Sequence, residues 1–64
     1  MEKKDIIWLA TKCFAKNWEF EQLKYSDDLY GKEKYAGEVW EYVEELENIG
    51  KIAFYEKYKE YKLF

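Results

Sequence analysis

The stretch KEKYAGEVWEYVEELEN, residues 32–48, carries the clearest helical pattern in the chain. Its apolar side chains recur every three or four residues and form one stripe, a spacing that predicts an amphipathic helix. The members of this stripe are Tyr35, Val39, Tyr42, Val43, Leu46 and Ile49. Gly50 follows directly, and glycine is the residue best suited to end a helix. We therefore predict a helix over residues 32–48 that stops at Gly50.

Two further segments flank this helix. The first, residues 4–20, places Ile6, Ala10, Cys13 and Phe14 at helical spacing. The last, residues 51–64, places Phe54, Tyr58 and Tyr61 on one stripe. We therefore predict an all-α fold, a small three-helix arrangement that forms a single domain over residues 1–64.

A short strand is an open alternative at two places in the chain. Trp18 and Phe20 alternate with Glu19 and Glu21, which would suit a strand near residues 18–25. Ile52 and Phe54 alternate in the same way, which would suit a strand near residues 51–55.

Charge is distributed unevenly along the chain. Residues 1–16 have a net charge of +2, residues 17–50 of −7 and residues 51–64 of +2, which together give the overall −3. One interpretation is that the basic ends fold back over the acidic middle. The other is that the acidic middle is presented to a basic partner.

Few residues of the chain could carry catalysis or bind a metal. Histidine is absent, so the catalytic triads and zinc sites that depend on it are excluded. Cys13 lies on the apolar stripe of its helix and is best interpreted as a core residue. Ser26 begins a Ser26-Asp27-Asp28 sequence typical of a helix cap. We therefore expect no enzymatic activity, no cofactor and no metal.

The composition also bears on the compartment. A single cysteine in 64 residues is typical of a reducing environment. No apolar segment approaches the roughly 20 residues that a membrane span requires, and no signal peptide is evident. We therefore expect a cytoplasmic protein.

The predicted central helix carries the main candidate site. Its polar face presents Glu38, Glu41, Glu44 and Glu45, with Trp40 beside them. Carboxylates at helical spacing could imitate the charge of a nucleic-acid backbone and bind a basic protein, although a solvated face is the simpler interpretation. Trp8 falls opposite the apolar stripe of the first helix and is a second candidate anchor.

In class, the chain is similar to small acidic phage-encoded inhibitors, among them nucleic-acid mimics and anti-CRISPR proteins. The resemblance rests on brevity, negative charge and the lack of catalytic residues, and it covers no sequence motif. It implies a non-enzymatic inhibitor of a basic nucleic-acid-processing protein, located in the host cytoplasm.

Two alternatives remain at this point. The Tyr-rich last segment could form the interface of a homodimer, since tyrosine is favoured at protein interfaces. Alternatively, its interleaved lysine and aromatic side chains could bind single-stranded nucleic acid. This stripe comprises Lys51, Phe54, Tyr55, Lys57, Tyr58, Lys59, Tyr61 and Lys62. Direct nucleic-acid binding is the less favoured of these, because the chain is acidic overall and contains no arginine.

Overall fold

The described part of the chain, residues 2–29 and 31–61 of a computed structural model, is helical and contains no strand. Of Asp28, only the backbone is described. The α-helices are α1 (Lys3–Ala15), α2 (Phe20–Lys24), α3 (Ala36–Ile49) and α4 (Lys51–Lys57). Short 3₁₀ turns span Asp27–Leu29, Glu33–Tyr35 and Lys59–Tyr61. The all-α prediction is confirmed, although the described residues form four α-helices instead of the predicted three. Both strand alternatives are wrong.

Helix α1 ends five residues earlier than the predicted boundary at residue 20. Asn17 adopts a left-handed φ of 55°. The Trp18 amide donates to the Cys13 carbonyl at 3.0 Å, and the Asn17 amide donates to the Phe14 carbonyl at 3.2 Å. This is a Schellman motif with asparagine at the left-handed position. It turns the chain so that Trp18 packs against the core.

A helical turn replaces the strand alternative at residues 18–25. A capping box joins Glu19 and Gln22, in which the Glu19 amide donates to Gln22 Oε1 at 2.8 Å. The box starts α2, and Leu23 from this helix is fully buried. The capping box and the burial of Leu23 therefore stabilise a helix here, although Trp18 and Phe20 alternate with glutamates as they would in a strand.

Gly50 separates α3 from α4 without an intervening loop. Its φ of 87° and ψ of 160° lie in a region that is essentially restricted to glycine. The Gly50 amide donates to the Leu46 carbonyl, and the Gly50 carbonyl accepts from the Phe54 amide, each at 3.0 Å. Residues 51–55 are therefore helical, which rules out the strand alternative there.

The core is built on the contact between α1 and α3. One cluster joins α1, α2 and α3 around Ala10, Leu23 and Val39. A second joins α1, α3 and α4 through Ile7, Leu46, Phe54 and Tyr58. Tyr42 packs against both clusters. The outer surfaces of α1 and α3 are thus left on opposite sides of the buried layer.

Candidate functional site

Four carboxylates form a row along the outer surface of α3. The row consists of Glu38, Glu41, Glu44 and Glu47, all of them exposed. Neighbours in the row are three residues apart, so each lies about 4.5 Å further along the helix axis and about 60° further round it, and the row winds round about half of the helix. Within residues 2–29 and 31–61, no ion pair or hydrogen bond involves these carboxylates. We call this surface the acidic row.

Glu45 does not belong to the acidic row. Its carboxylate accepts hydrogen bonds from the Lys57 ammonium group and from the Tyr58 hydroxyl, the latter at 2.8 Å. The Lys57 hydrogen bond, with help from Tyr58, holds the pKa of Glu45 below its usual value. Burial and the Glu45 hydrogen bond raise the pKa of Tyr58. Glu45 therefore connects α3 to α4, and in this pair a basic end does fold back onto the acidic middle.

Trp40 lies on the flank of α3 that faces α2. Its indole is half-buried against the core and meets the Phe20 ring edge-to-face, with centroids 5.6 Å apart. Glu44 follows it by four residues, so the ring borders the acidic row. The structure thus brings Trp40 together with the row, and the same ring also contacts Phe20 of α2.

Trp8 is 43% exposed and lies on the outer surface of α1. The Lys12 ammonium group sits 5.1 Å from its ring centroid. Because α1 and α3 meet through their buried stripes, Trp8 and the acidic row face opposite sides of the molecule. The structure therefore does not unite Trp8 and the glutamates in one surface.

The aromatic rings of the C-terminal lysine and aromatic stripe pack against the core, whereas its described lysines are exposed. Phe54 and Tyr58 are buried, and Tyr55 and Tyr61 are half-buried against the same cluster. Lys57 is paired with Glu45. Lys62 lies outside the described residues. The buried rings of this stripe offer no free face on which a nucleotide base could stack.

The structure also locates the cysteine and the acidic side chains that could in principle bind a metal. Cys13 is completely buried in the core. Among the described residues, no group of three or more histidine, cysteine, aspartate or glutamate side chains could hold a metal ion. In the same part of the chain, every helix is too short or too polar to cross a membrane.

Two surfaces were not predicted from the sequence. Lys12, Lys16 and Trp18 border an open groove between α1 and α2. Ile49 and Ile52 form an exposed apolar patch at the junction of α3 and α4, where Ile52 is 88% exposed. The spacing of Trp8, Lys12 and Lys16 at four-residue intervals was a signal for the groove, whereas the patch is split by Gly50 and has no periodicity.

The described residues thus form a small all-α fold with an acidic row on α3 and a groove bordered by Lys12 and Lys16 beside α1. No protein-family model, curated protein or solved structure matches the chain.

Proposed function

We propose that this protein is a non-enzymatic binding module that inhibits or recruits a basic nucleic-acid-processing protein through the acidic row. The observation that carries the proposal is that Glu38, Glu41, Glu44 and Glu47 are exposed and unpaired within the described residues. Trp40 borders the row and supplies an aromatic edge to the contact. Glu45, which the sequence places among these glutamates, serves the fold instead.

The spacing of the charges supports imitation of a nucleic-acid backbone. The row carries one carboxylate per about 4.5 Å of helix axis, and one strand of DNA carries a phosphate per roughly 3.4 Å. A groove that recognises phosphates with lysine and arginine would therefore meet a similar linear charge density. Association with such a partner would be fast and would weaken as salt is added.

The position of the row also argues against a purely structural role. Glu47 lies in the last turn of α3, and this turn contains no basic residue. A carboxylate at a helix C-terminus faces the negative end of the helix dipole, which costs about 0.3–1 kcal/mol. Selection for helix stability alone would favour lysine here, so a binding role accounts for the glutamate better.

The source and the compartment that we assign to the protein follow from the same proposal. A short, acidic module directed at a nucleic-acid-processing enzyme is of the phage-encoded, anti-defence kind and would act in the host cytoplasm. The buried Cys13 thiol suits a reducing compartment.

Charge reversal with a matched control tests the proposal. Glu41→Lys/Glu44→Lys reverses the centre of the row, and Glu2→Lys/Glu60→Lys reverses two exposed carboxylates outside α3. Each reversal adds two charges, so both variants move from −3 to +1. We expect a nucleic-acid-binding protein to be captured from bacterial lysate by the native chain and by the control, and to be lost with the reversed row.

Competition then distinguishes mimicry from any other contact. Duplex DNA should displace the captured protein from the native chain, because both ligands would occupy the same basic groove. Equal capture by all three chains, with helical circular dichroism intact, would refute the acidic row as the binding surface.

Self-association is the second candidate function, and the exposed patch at Ile49 and Ile52 favours it. The Phe54 and Tyr58 rings face the core, so the interface would be this patch rather than the tyrosines. Lys51 and Glu56 border the same patch with opposite charges. In a two-fold dimer each could face the other residue of the second copy.

A further inference from the structure

A groove of about 530 Å³ lies where the second half of α1 meets the end of α2. Small-molecule sites have volumes of roughly 300–1,000 Å³, so the groove is large enough for a ligand of nucleotide size. Its walls combine cations, aromatic rings and short polar side chains. The lining residues used below are Lys12, Lys16, Trp18, Tyr25, Ser26 and Asp27.

The cationic wall comes from one face of α1. Lys12 and Lys16 are four residues apart, so their stems lie side by side. The Lys16 ammonium group is 5.4 Å from the centroid of the Trp18 ring, and the Lys12 ammonium group is 5.1 Å from that of Trp8. Positive charge is thus held directly next to flat aromatic surfaces.

The aromatic wall combines a fixed ring with an accessible one. The Schellman motif that ends α1 places Trp18 against the core, where it is half-buried. Tyr25 follows α2 and is 77% exposed. The Lys24 ammonium group is 5.8 Å from the Tyr25 ring centroid. Exposed rings beside lysines are the elements with which proteins stack bases and neutralise phosphates.

Polar groups complete the groove beside the rings. The Ser26 hydroxyl oxygen is buried and has no hydrogen-bond partner within the described residues. A buried hydroxyl without a partner carries a desolvation cost that a ligand could remove. Asp27 is exposed at the same rim, and its carboxylate can accept from a sugar hydroxyl or an exocyclic amino group.

We infer that this groove binds a nucleoside phosphate, either as a free nucleotide or as one unit of a single-stranded nucleic acid. The phosphate lies between Lys12 and Lys16, and the base stacks on Tyr25 or Trp18. Asp27 contacts the sugar or the base. This inference is independent of the acidic row, because the groove contains none of its residues.

The choice of a nucleotide over an acidic peptide rests on the side chains present. Lysine acts as a point charge and is a common ligand of phosphate. The flat, exposed ring of Tyr25 suits a planar base better than an extended peptide.

Nuclear magnetic resonance titration of the full, ¹⁵N-labelled chain at low salt tests the inference. We expect adenosine monophosphate to shift the Trp18 indole signal saturably, and adenosine or inorganic phosphate alone to bind more weakly. A second titration uses a short oligoadenylate in place of the mononucleotide. If it binds about tenfold more tightly than the mononucleotide, the natural ligand is single-stranded nucleic acid, and equal affinity identifies a free nucleotide.

Variants assign the binding to the groove. Lys12→Gln/Lys16→Gln should weaken binding of the mononucleotide about tenfold, because it removes both phosphate contacts. Tyr25→Ser should also weaken it, by about fivefold, through loss of stacking. Lys16 and Tyr25 are exposed and Lys12 is half-buried, so circular dichroism must show that each variant folds.

The matched control is Lys51→Gln/Lys59→Gln, which removes the same charge outside the groove. Unchanged affinity in this control supports the site. An equal loss in both lysine pairs would show that binding follows net charge alone and would overturn the inference. So would the absence of saturable shifts with both the mononucleotide and the oligoadenylate.

Discussion

The Tyr58 hydroxyl donates a 2.8 Å hydrogen bond to the Glu45 carboxylate, which lies thirteen residues earlier in the chain. The ring of Tyr58 also packs on Phe54, with centroids 4.7 Å apart, and meets Tyr42 edge-to-face at 5.6 Å. Lys57 donates to the other carboxylate oxygen of Glu45. The seven residues of α4 are too few to form a stable helix alone, so these contacts hold it in place.

Stability should therefore depend on the charge of Glu45. Its pKa is lowered in the folded state, chiefly by the Lys57 hydrogen bond. The ionised carboxylate therefore stabilises the folded state in full above its usual pKa of 4.5. This stabilisation is lost as pH falls through the lower pKa of the folded state. We expect Glu45→Gln to cost about 1 kcal/mol of unfolding free energy at neutral pH. The deficit should shrink below pH 4.5, as measured by urea denaturation across pH.

Glu44→Gln is the matched control for this experiment. Glu44 is the neighbouring carboxylate and is exposed, so its replacement should leave the unfolding free energy within about 0.5 kcal/mol of the native value. Tyr58→Phe retains the ring packing and removes the donor, and it should reproduce part of the Glu45→Gln loss. A deficit that does not change with pH would contradict the role assigned to the carboxylate.

The sequence predicted the helices in which apolar residues recur at helical spacing over several turns. Val39, Val43 and Leu46, on the stripe assigned to the central helix, are buried in α3. The end of α1 was missed because Asn17 takes the left-handed position more often filled by glycine. Helix α2 was missed because five residues show too little periodicity, and Leu23 stabilises it through tertiary burial.

Gly37 and Gly50 should respond oppositely to alanine. Gly37 is the second residue of α3, and a Cβ placed there would meet no atom within 4 Å beyond the helix's own backbone and its chain neighbours. Gly37→Ala should therefore stabilise the protein by about 1 kcal/mol, which raises the Tm by about 4–8 °C in a domain of this size. Gly50→Ala should destabilise by about 1–3 kcal/mol, because its φ of 87° and ψ of 160° strain any other residue.

Thermal denaturation followed by circular dichroism measures both glycine variants. Each adds the same methyl group, so a general effect of alanine would move the two Tm values in the same direction. If both Tm values rise or both fall, the left-handed backbone conformation assigned to Gly50 at the α3–α4 junction would be contradicted.

The candidate site was less predictable than the helices, for a geometric reason. Helical spacing fixes which residues share a face, and it identified Glu38, Glu41 and Glu44 of the acidic row but not Glu47. Spacing does not fix which faces meet, so it could not show where the candidate anchor Trp8 lies relative to the glutamates. Glu45 shares the polar face of the helix but pairs with Lys57 instead of staying free. This pairing depends on the direction of α4, which the backbone conformation of Gly50 determines.

The patch at the α3–α4 junction yields the last prediction. Ile52 is 88% exposed and Ile49 is 43% exposed, and a domain of 64 residues gains stability if it covers such a surface by association. We expect sedimentation equilibrium to show a monomer–dimer exchange that shifts with protein concentration. Ile52→Glu should abolish it, because a two-fold interface would bring the two carboxylates together. Tyr25→Glu, which replaces an exposed apolar side chain elsewhere, should dimerise like the native chain. A native protein that stays monomeric at high concentration would eliminate self-association and leave the acidic row as the supported binding surface.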